Sequence, residues 1–355
     1  MTTDGIEQPS PELPRSAPAA PLEADTAQPK PAARSLTTYL GLAFDFFLIG
    51  LIVVGIYFRF SWTNWSQGAD LHPDEYGLTA TLTRLSIPDT LTAYFNTRLS
   101  SISPYQKYDE EGFPTVSGPD NRMRWGQWPI IIIRLTAELT NNADYGNLRL
   151  MGRRLSALCD VLALFVIYLI GARLYSRRVG LLAAALSALA VMQIQQSHFM
   201  TSDNFAVFFV TLTMYCAVRV AQKGEWWWYG LFGVSFGMAV ASRVNLAPLA
   251  VEIVVAAFIA NSDELLHGKA DTRLTAGFGG TMAMLALAGI ASLATFRVLH
   301  PMSFRAPSGD TTIFTLTPNL DWTASLAVAQ AESSGVGGGP PGAPWTNRPA
   351  SLVPL

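Results

Sequence analysis

The sequence predicts an all-α, polytopic membrane protein. Of its 355 residues 50% are hydrophobic, only 14% are charged, and the mean hydropathy is +0.27. A chain of this kind is too apolar and too poor in charge to be an ordinary soluble domain. Its net charge is −2, and its Lys and Arg residues lie mostly at the ends of apolar runs, which leaves no basic surface for nucleic acid. We therefore expect helices that cross a bilayer, membrane lipids around them and no nucleic-acid partner.

The first 37 residues form a proline-rich tail. Seven prolines are spread among Ala, Ser and acidic residues between positions 9 and 31. A segment of this composition cannot bury enough apolar area to offset the entropy that is lost on ordering. We expect residues 1–37 to be a disordered cytoplasmic tail.

Seven apolar segments follow the tail and predict seven transmembrane helices. A helix rises 1.5 Å per residue, so about 20 residues cross a hydrocarbon core of about 30 Å. The predicted spans are residues 40–58, 154–173, 179–195, 202–220, 227–242, 245–260 and 275–296. They make a transmembrane domain over residues 38–300, with a first outer loop at 61–150 that holds interfacial helices. We expect residues 301–355 to form an outer loop or tail that stops before a further helix of a longer protein.

The basic residues of the short loops predict the orientation, because Lys and Arg accumulate in cytoplasmic loops. Arg173, Arg177 and Arg178 separate the second and third predicted spans, and Lys223 follows the fourth. All of them fall on one side of the membrane if the N-terminus is cytoplasmic. We therefore expect an integral membrane protein with a cytoplasmic N-terminus and a long loop that faces outside, and we expect its membrane to be a bacterial plasma membrane.

Two adjacent carboxylates, Asp74 and Glu75, lie in the first outer loop directly after Pro73. Proline and acidic residues are both favoured in the first turn of a helix, so the pair can simply begin a surface helix. In the functional interpretation, one carboxylate takes the proton from an acceptor hydroxyl or amine while that group attacks a sugar carbon. Adjacent side chains of a helix cannot both point at one atom, so the two acids would have different roles.

Several short motifs occur in an order that resembles a known family. The motifs are Leu71-His72-Pro73-Asp74-Glu75-Tyr76, Gly152-Arg153-Arg154-Leu155-Ser156-Ala157, Gly171-Ala172-Arg173-Leu174-Tyr175, Gln195-Gln196-Ser197-His198-Phe199-Met200-Thr201-Ser202-Asp203 and Ala239-Val240-Ala241-Ser242-Arg243. Together with the predicted topology they resemble the GT-C glycosyltransferases. The likeness is to glycosyltransferase family 39, which includes protein O-mannosyltransferases and the aminoarabinose transferase that acts on lipid A. It covers roughly residues 38–300.

The resemblance implies an enzyme that transfers a mannose-like sugar from a polyprenyl-phosphate carrier to a protein, lipid or glycan acceptor on the outer face, with inversion at the sugar carbon. It implies that Asp74 is the catalytic base and Glu75 its supporting residue. It also implies a reaction without a cofactor, and in the mannosyltransferase branch without a metal.

Arginines at predicted outer helix ends are candidates for holding the donor phosphate, because guanidinium groups fit phosphate oxygens. Arg243 is the favoured one, and Arg153 and Arg154 are the others. All three could instead extend to lipid headgroups, as arginines at helix ends commonly do.

The predicted outer turn between the third and fourth spans offers two more candidates, Asp203 and His198. Asp203 could contact the sugar or the acceptor, or it could cap the following helix together with Ser202. His198 could be a polar contact of the substrate or an ordinary interfacial histidine. Neither lies in a metal-ligand spacing, so we expect no metal site.

Three further acids, Asp45, Asp160 and Glu252, are predicted within or near the spans. Ionisable groups at such depth are costly and usually face a cavity or a partner. Both a structural pairing, for example with an arginine, and a place in a functional cavity agree with the sequence.

Other functions are considered for the same pattern. An enzyme that transfers a whole lipid-linked oligosaccharide is disfavoured, because Trp226-Trp227-Trp228-Tyr229-Gly230 lacks the acid of the similar Trp-Trp-Asp-Tyr-Gly motif of oligosaccharyltransferases. A transporter or a lipid-binding membrane scaffold without transferase activity is the alternative from another class. A transporter would be expected to show two related halves, and no such internal repeat is visible.

Overall fold

The computed structural model describes residues 36–69, 72–97, 100–104, 106–108, 114–116, 126–262, 277–304 and 312–333. Nearly all of the predicted tail and the last part of the predicted C-terminal loop lie outside the described residues. The chain divides into two compact units, Met1–Ala43 and Phe44–Leu355, and the packing described below lies within the second.

The regular secondary structure of the described residues is helical apart from one short pair of strands, which confirms the predicted all-α fold class. In chain order the elements are α1 (Leu36–Phe60), α2 (Pro73–Arg84), α3 (Leu91–Phe95), β1 (Gln106–Tyr108), β2 (Pro114–Val116), α4 (Gln127–Leu139), α5 (Tyr145–Leu174), α6 (Arg177–Ala188), α7 (Val191–Ser197), α8 (Asp203–Lys223), α9 (Trp226–Ser242), α10 (Val251–Ala260), α11 (Gly277–Leu299) and α12 (Leu320–Ser333). Strands β1 and β2 pair antiparallel with Lys107 opposite Thr115. Turns of 3-10 helix occupy Val244–Ala250 and Pro301–Ser303.

The number of spans is smaller than the sequence predicts. Among the described residues, four helices are long and apolar enough to cross a membrane, namely α1, α5, α8 and α11. Helices α6 and α7 meet at a bend of 64° and make a fifth span if the pair is counted as one. Helix α9 has only 17 residues, and the stretch Val244–Ala260 is also a shorter apolar helix. Each predicted segment is therefore helical, but length and composition support four or five spans instead of seven.

Glycines allow several of these helices to approach closely. A Cβ atom on Gly180 of α6 would lie 2.5 Å from the carbonyl oxygen of Tyr168 in α5. On Gly233 of α9 it would lie 2.3 Å from the carbonyl oxygen of Ala288 in α11. Both distances are far below van der Waals contact, so only glycine fits at these crossings. Small residues at helix crossings are typical of packing in a membrane, where backbones come together without large side chains between them.

A buried ion pair joins α1 to α5. Arg59 donates from Nε to Asp160 Oδ2 over 2.6 Å, and its Nη1 donates to the carbonyl oxygen of Ala188 at the end of α6 over 2.6 Å. The Arg59 and Asp160 side chains are almost fully buried, at 0% and 4% exposure. Asp160 therefore has the structural pairing that the sequence left open as one of two interpretations.

A hydrophobic cluster gathers the elements of the first loop at one end of the helices. Its buried members come from α2 and the residue after it, the loop at 100–104, α4, α5, α8 and the two turns that follow α7 and α11, and they include Leu82, Ile102, Ile130, Leu148, Met200 and Met302. Gln127 of α4 is wholly buried beside this cluster, where it donates to the Ile102 carbonyl and accepts a hydrogen bond from the Met302 amide. This packing places the beginning of α2 against the turn between α7 and α8.

Candidate active site

The acidic pair lies in the first turn of α2, as its sequence predicts. Pro73 occupies the first position of the helix, and Asp74 and Glu75 follow it. His72 precedes the helix in an extended conformation and makes no side-chain cap. Acidic residues at this end of a helix interact favourably with its dipole. The helix then carries the two carboxylates into different surroundings.

Glu75 is fully buried and held by a fork of hydrogen bonds. Arg153 of α5 donates to Glu75 Oε1 from Nε and to Oε2 from Nη2, both over 2.7 Å. The amide of Met200 donates to Oε1 over 2.8 Å. Both charged side chains have 0% exposure. Because both Glu75 oxygens are engaged, this residue connects α2, α5 and the turn before α8.

The guanidinium group of Arg153 makes further hydrogen bonds in the same network. Its Nη1 donates to the Thr63 carbonyl over 2.8 Å, and its Nη2 also donates to Ser66 Oγ over 3.0 Å. The guanidinium lies 5.0 Å from the centre of the Trp65 ring. Arg153 therefore holds the segment after α1 and has no free fork for a donor phosphate.

Asp74 differs from its neighbour in every respect. Its side chain is only half-buried, and within the described part of the chain it has no hydrogen bond or ion pair. An accessible carboxylate without a partner can accept a proton from a group that approaches it. The geometry thus separates the two acids into a fixed one and an available one.

A second ion pair joins Arg243 to Asp203, which lies three residues after Met200. Arg243, which follows α9, donates from Nη2 to Asp203 Oδ1 over 2.7 Å and from Nε to Ser202 Oγ over 3.2 Å. Both side chains are partly exposed, at 37% for Arg243 and 29% for Asp203. Unlike Arg153, Arg243 therefore keeps part of its side chain exposed. The amide of Gly126, the residue before α4, donates to the carbonyl of Ser242 over 3.1 Å, so the start of α4 lies beside the end of α9.

His198 has both ring nitrogens engaged by backbone carbonyls. Nδ1 lies 2.7 Å from the Ile194 oxygen and Nε2 lies 2.7 Å from the Ser61 oxygen. These contacts tie the segment after α1 to the end of α7, so the ring has no nitrogen left for a substrate. Arg154 is exposed on α5, one position beyond the buried network. Among the seven predicted site residues, the structure brings together Glu75 with Arg153 and Asp203 with Arg243.

Arg149 is a further buried arginine of this region, and the sequence motifs do not single it out. It lies one turn before Arg153 on α5, is buried, and donates from Nη1 to the Gly68 carbonyl over 3.0 Å. The two arginines together hold the segment at 61–69 in place. Their spacing of four residues puts them on one helix face, which is a signal that the sequence contained. Among the described residues, no three His, Cys, Asp or Glu side chains come together as a metal site would need.

Comparison with known proteins gives one family-model match and similar solved structures. Residues 129–297 match the family model described as dolichyl-phosphate-mannose-protein mannosyltransferase. No curated protein matches the chain. Among solved structures, the oligosaccharyltransferase of Archaeoglobus fulgidus in its apo form is similar, with 15% identity and a TM-score of 0.50 over 82% of this chain. The same enzyme tethered with an acceptor peptide is similar at 16% identity and a TM-score of 0.49 over 84% of this chain.

The chain spans about a third of the length of these structures, covering 33% of the first and 35% of the second. At such low identity the likeness concerns the fold. The family match runs from α4 to α11 and includes Arg153 and the Asp203–Arg243 pair, whereas Asp74 and Glu75 precede the matched residues. The chain is therefore similar over residues 129–297 to the dolichyl-phosphate-mannose-protein mannosyltransferase family, and its fold resembles that of a membrane oligosaccharyltransferase.

Proposed function

We propose that this chain carries the reaction centre of a glycosyltransferase that moves a sugar from a polyprenyl-phosphate carrier to an acceptor hydroxyl. The observation that carries the proposal is the contrast between Glu75, whose two oxygens are both engaged in a dry network, and Asp74, whose carboxylate is accessible and without a partner among the described residues. A base must be reachable by its acceptor, and Asp74 meets that condition.

The chemistry is a single displacement. The acceptor hydroxyl gives its proton to the Asp74 carboxylate, and the acceptor oxygen forms a bond to the anomeric carbon. The bond from that carbon to the phosphate oxygen of the carrier breaks, and the electron pair leaves with the polyprenyl phosphate. Asp74 then returns the proton to water. One displacement inverts the configuration of the sugar carbon.

Arg243 is the residue that receives the carrier phosphate in this proposal. Its charge is offset by Asp203, yet its side chain remains more than a third exposed, at 37%. Charge-assisted hydrogen bonds from a guanidinium to phosphate are strong and can be bidentate. Asp203 is then left beside the donor, where its carboxylate can accept a hydrogen bond from a sugar hydroxyl. Arg153, which the sequence offered as another phosphate residue, acts instead through Glu75.

The family description supports the substrate class. It names dolichyl-phosphate-mannose as donor and a protein as acceptor, so we extend the proposal to a mannose-like sugar and a protein acceptor. Because the basic loops lie at the opposite ends of the helices, we also propose that the site faces the outside and that the N-terminus is cytoplasmic.

The test is transfer of radiolabelled mannose from a synthetic polyprenyl-phosphate mannose in membranes that contain the chain, with Asp74→Asn as the variant. General-base catalysis contributes about 10²-fold to 10⁴-fold, so the variant should lose at least about 99% of the rate. Asp89→Asn is the matched control, because Asp89 is an exposed acid of the same loop. Equal rates for wild type and Asp74→Asn, with the protein still folded, would remove Asp74 from the mechanism.

A further inference from the structure

A second group of charged residues lies at the far ends of the helices, where α5 meets α6. Arg173 is in the last turn of α5, and Arg177 and Arg178 are the first two residues of α6. Arg173 follows Arg153 by 20 residues, which corresponds to about 30 Å along a helix. We call Arg173, Arg177 and Arg178 the arginine patch. It is separate from the candidate active site.

One carboxylate faces two of these arginines. Asp45 of α1 lies 3.4 Å from Arg178 Nε and 3.9 Å from Arg177 Nη2. Its Oδ1 atom is buried and makes no hydrogen bond. The two arginine side chains are 66% and 59% exposed. Asp45 therefore holds two guanidinium groups near each other through loose ion pairs and neutralises one of their two charges.

The position of these arginines is not explained by helix stability. Cations are favoured at the C-terminal end of a helix and disfavoured at its N-terminal end, where the backbone amides already present positive charge. The first turn of α6 nevertheless carries two arginines, and Arg173 adds a third charge directly before it. An anion at this point would be attracted by all of these charges.

The apolar residues around the patch set it at the level of lipid headgroups. Tyr175 lies between α5 and α6 and is 77% exposed, and Leu174, Val179 and Leu182 are exposed as well. Exposed apolar side chains of a membrane protein contact acyl chains, and tyrosines are enriched at the interface between acyl chains and water. Arginines beside them reach the phosphate groups of the bilayer.

We propose that the arginine patch binds the headgroup of an anionic phospholipid, with the lipid phosphate between Arg177 and Arg178. Basic pockets between transmembrane helices are known to hold anionic lipid headgroups. Here three helices contribute: α1 supplies the carboxylate that orients the arginines, α5 supplies Arg173, and α6 supplies the two residues that contact the phosphate. The lipid would hold α1 and α6 together at the end opposite the reaction centre.

The test is native mass spectrometry of the whole chain titrated with phosphatidylglycerol or phosphatidylcholine. We expect wild type to bind its first molecule of phosphatidylglycerol at least about tenfold more tightly than its first molecule of phosphatidylcholine. Arg178→Gln should lose most of that preference. Lys223→Gln is the matched control, because Lys223 lies at the same end of the helices, is 51% exposed and carries one positive charge. It should change the affinity less than about twofold, a shift of under about 0.4 kcal/mol.

Asp45→Asn should change the affinity for phosphatidylglycerol in the opposite direction from Arg178→Gln. Removal of the carboxylate leaves both arginines uncompensated, so phosphatidylglycerol should bind about threefold to tenfold more tightly. An equal loss in Arg178→Gln and Lys223→Gln would show that net charge alone attracts the lipid and would overturn the proposal. The absence of any preference in wild type would overturn it as well.

Discussion

The neighbours Asp74 and Glu75 provide a sharp prediction, because the same chemical change should have opposite consequences at the two positions. Asp74→Asn and Glu75→Gln each replace a carboxylate by an amide of the same shape. We expect Asp74→Asn to leave folding intact and remove activity. We expect Glu75→Gln to destabilise the protein strongly, and any loss of activity to follow from that.

The magnitude for Glu75 follows from its surroundings. Its oxygens accept bonds of 2.7 Å, 2.7 Å and 2.8 Å from Arg153 and from the Met200 amide, at 0% exposure. Removing one charge of a buried pair leaves the other uncompensated, which costs about 3–5 kcal/mol. For Asp74, the loss is the interaction with the helix dipole, about 0.3–1 kcal/mol at a partly exposed site.

Thermal unfolding in detergent, followed by intrinsic fluorescence, measures both effects, with Asp89→Asn as the control for the loss of one charge. The double variant Glu75→Leu, Arg153→Met should recover much of the stability, because an apolar pair replaces a buried ion pair at little cost. A Glu75→Gln protein that unfolds within about 1 kcal/mol of wild type would refute the reasoning, since it would show that the pair carries no buried charge.

Two further predictions concern helix packing and pH. Gly233→Ala should destabilise the protein by about 1–3 kcal/mol, because the added Cβ would clash with the Ala288 carbonyl. A Cβ at Gly289 would have no atom within 4 Å, so Gly289→Ala should be neutral or stabilise by up to about 1 kcal/mol. The same unfolding assay compares the two variants. Burial lowers the pKa of His300, just after α11, from 6.5 to about 4. As the pH falls, His300 is therefore protonated in the unfolded chain before it is protonated in the folded chain. The contribution of His300 to the free energy of unfolding is present above pH 6.5 and is lost as the pH falls from 6.5 to 4, by up to about 3 kcal/mol. His300→Phe, which keeps the ring stack on Phe296, should remove that slope from the unfolding midpoint measured between pH 7.5 and 4.5.

Hydropathy located the helices but not their breaks. The predicted span at 179–195 reads as one continuous apolar run, yet Ala190 adopts an extended conformation and bends α6 against α7 by 64°. The lengths of α9 and of Val244–Ala260 likewise fall short of a full crossing. Such breaks depend on the packing of neighbouring helices, which a local average of hydropathy does not contain.

The sequence predicts that Asp74 and Glu75 have different surroundings, but it does not predict the partner of Glu75. A helix turns by about 100° per residue, so adjacent side chains must face different surroundings. The residue that would pair with Glu75 could not be chosen, because Arg153 lies 78 positions away and was one of several arginines at helix ends. The Asp203–Arg243 contact likewise joins the start of α8 to the end of α9.

The measurement that tests the central claim most directly is the affinity of polyprenyl phosphate for wild type, Arg243→Gln and Asp203→Asn in lipid nanodiscs. Arg243 is held by Asp203 over 2.7 Å, so a phosphate must share the guanidinium with that carboxylate. We predict that Arg243→Gln weakens binding at least about tenfold, the value of one charge-assisted hydrogen bond, and that Asp203→Asn tightens it. Unchanged affinity in both variants would contradict the account, because the carrier phosphate would then bind elsewhere.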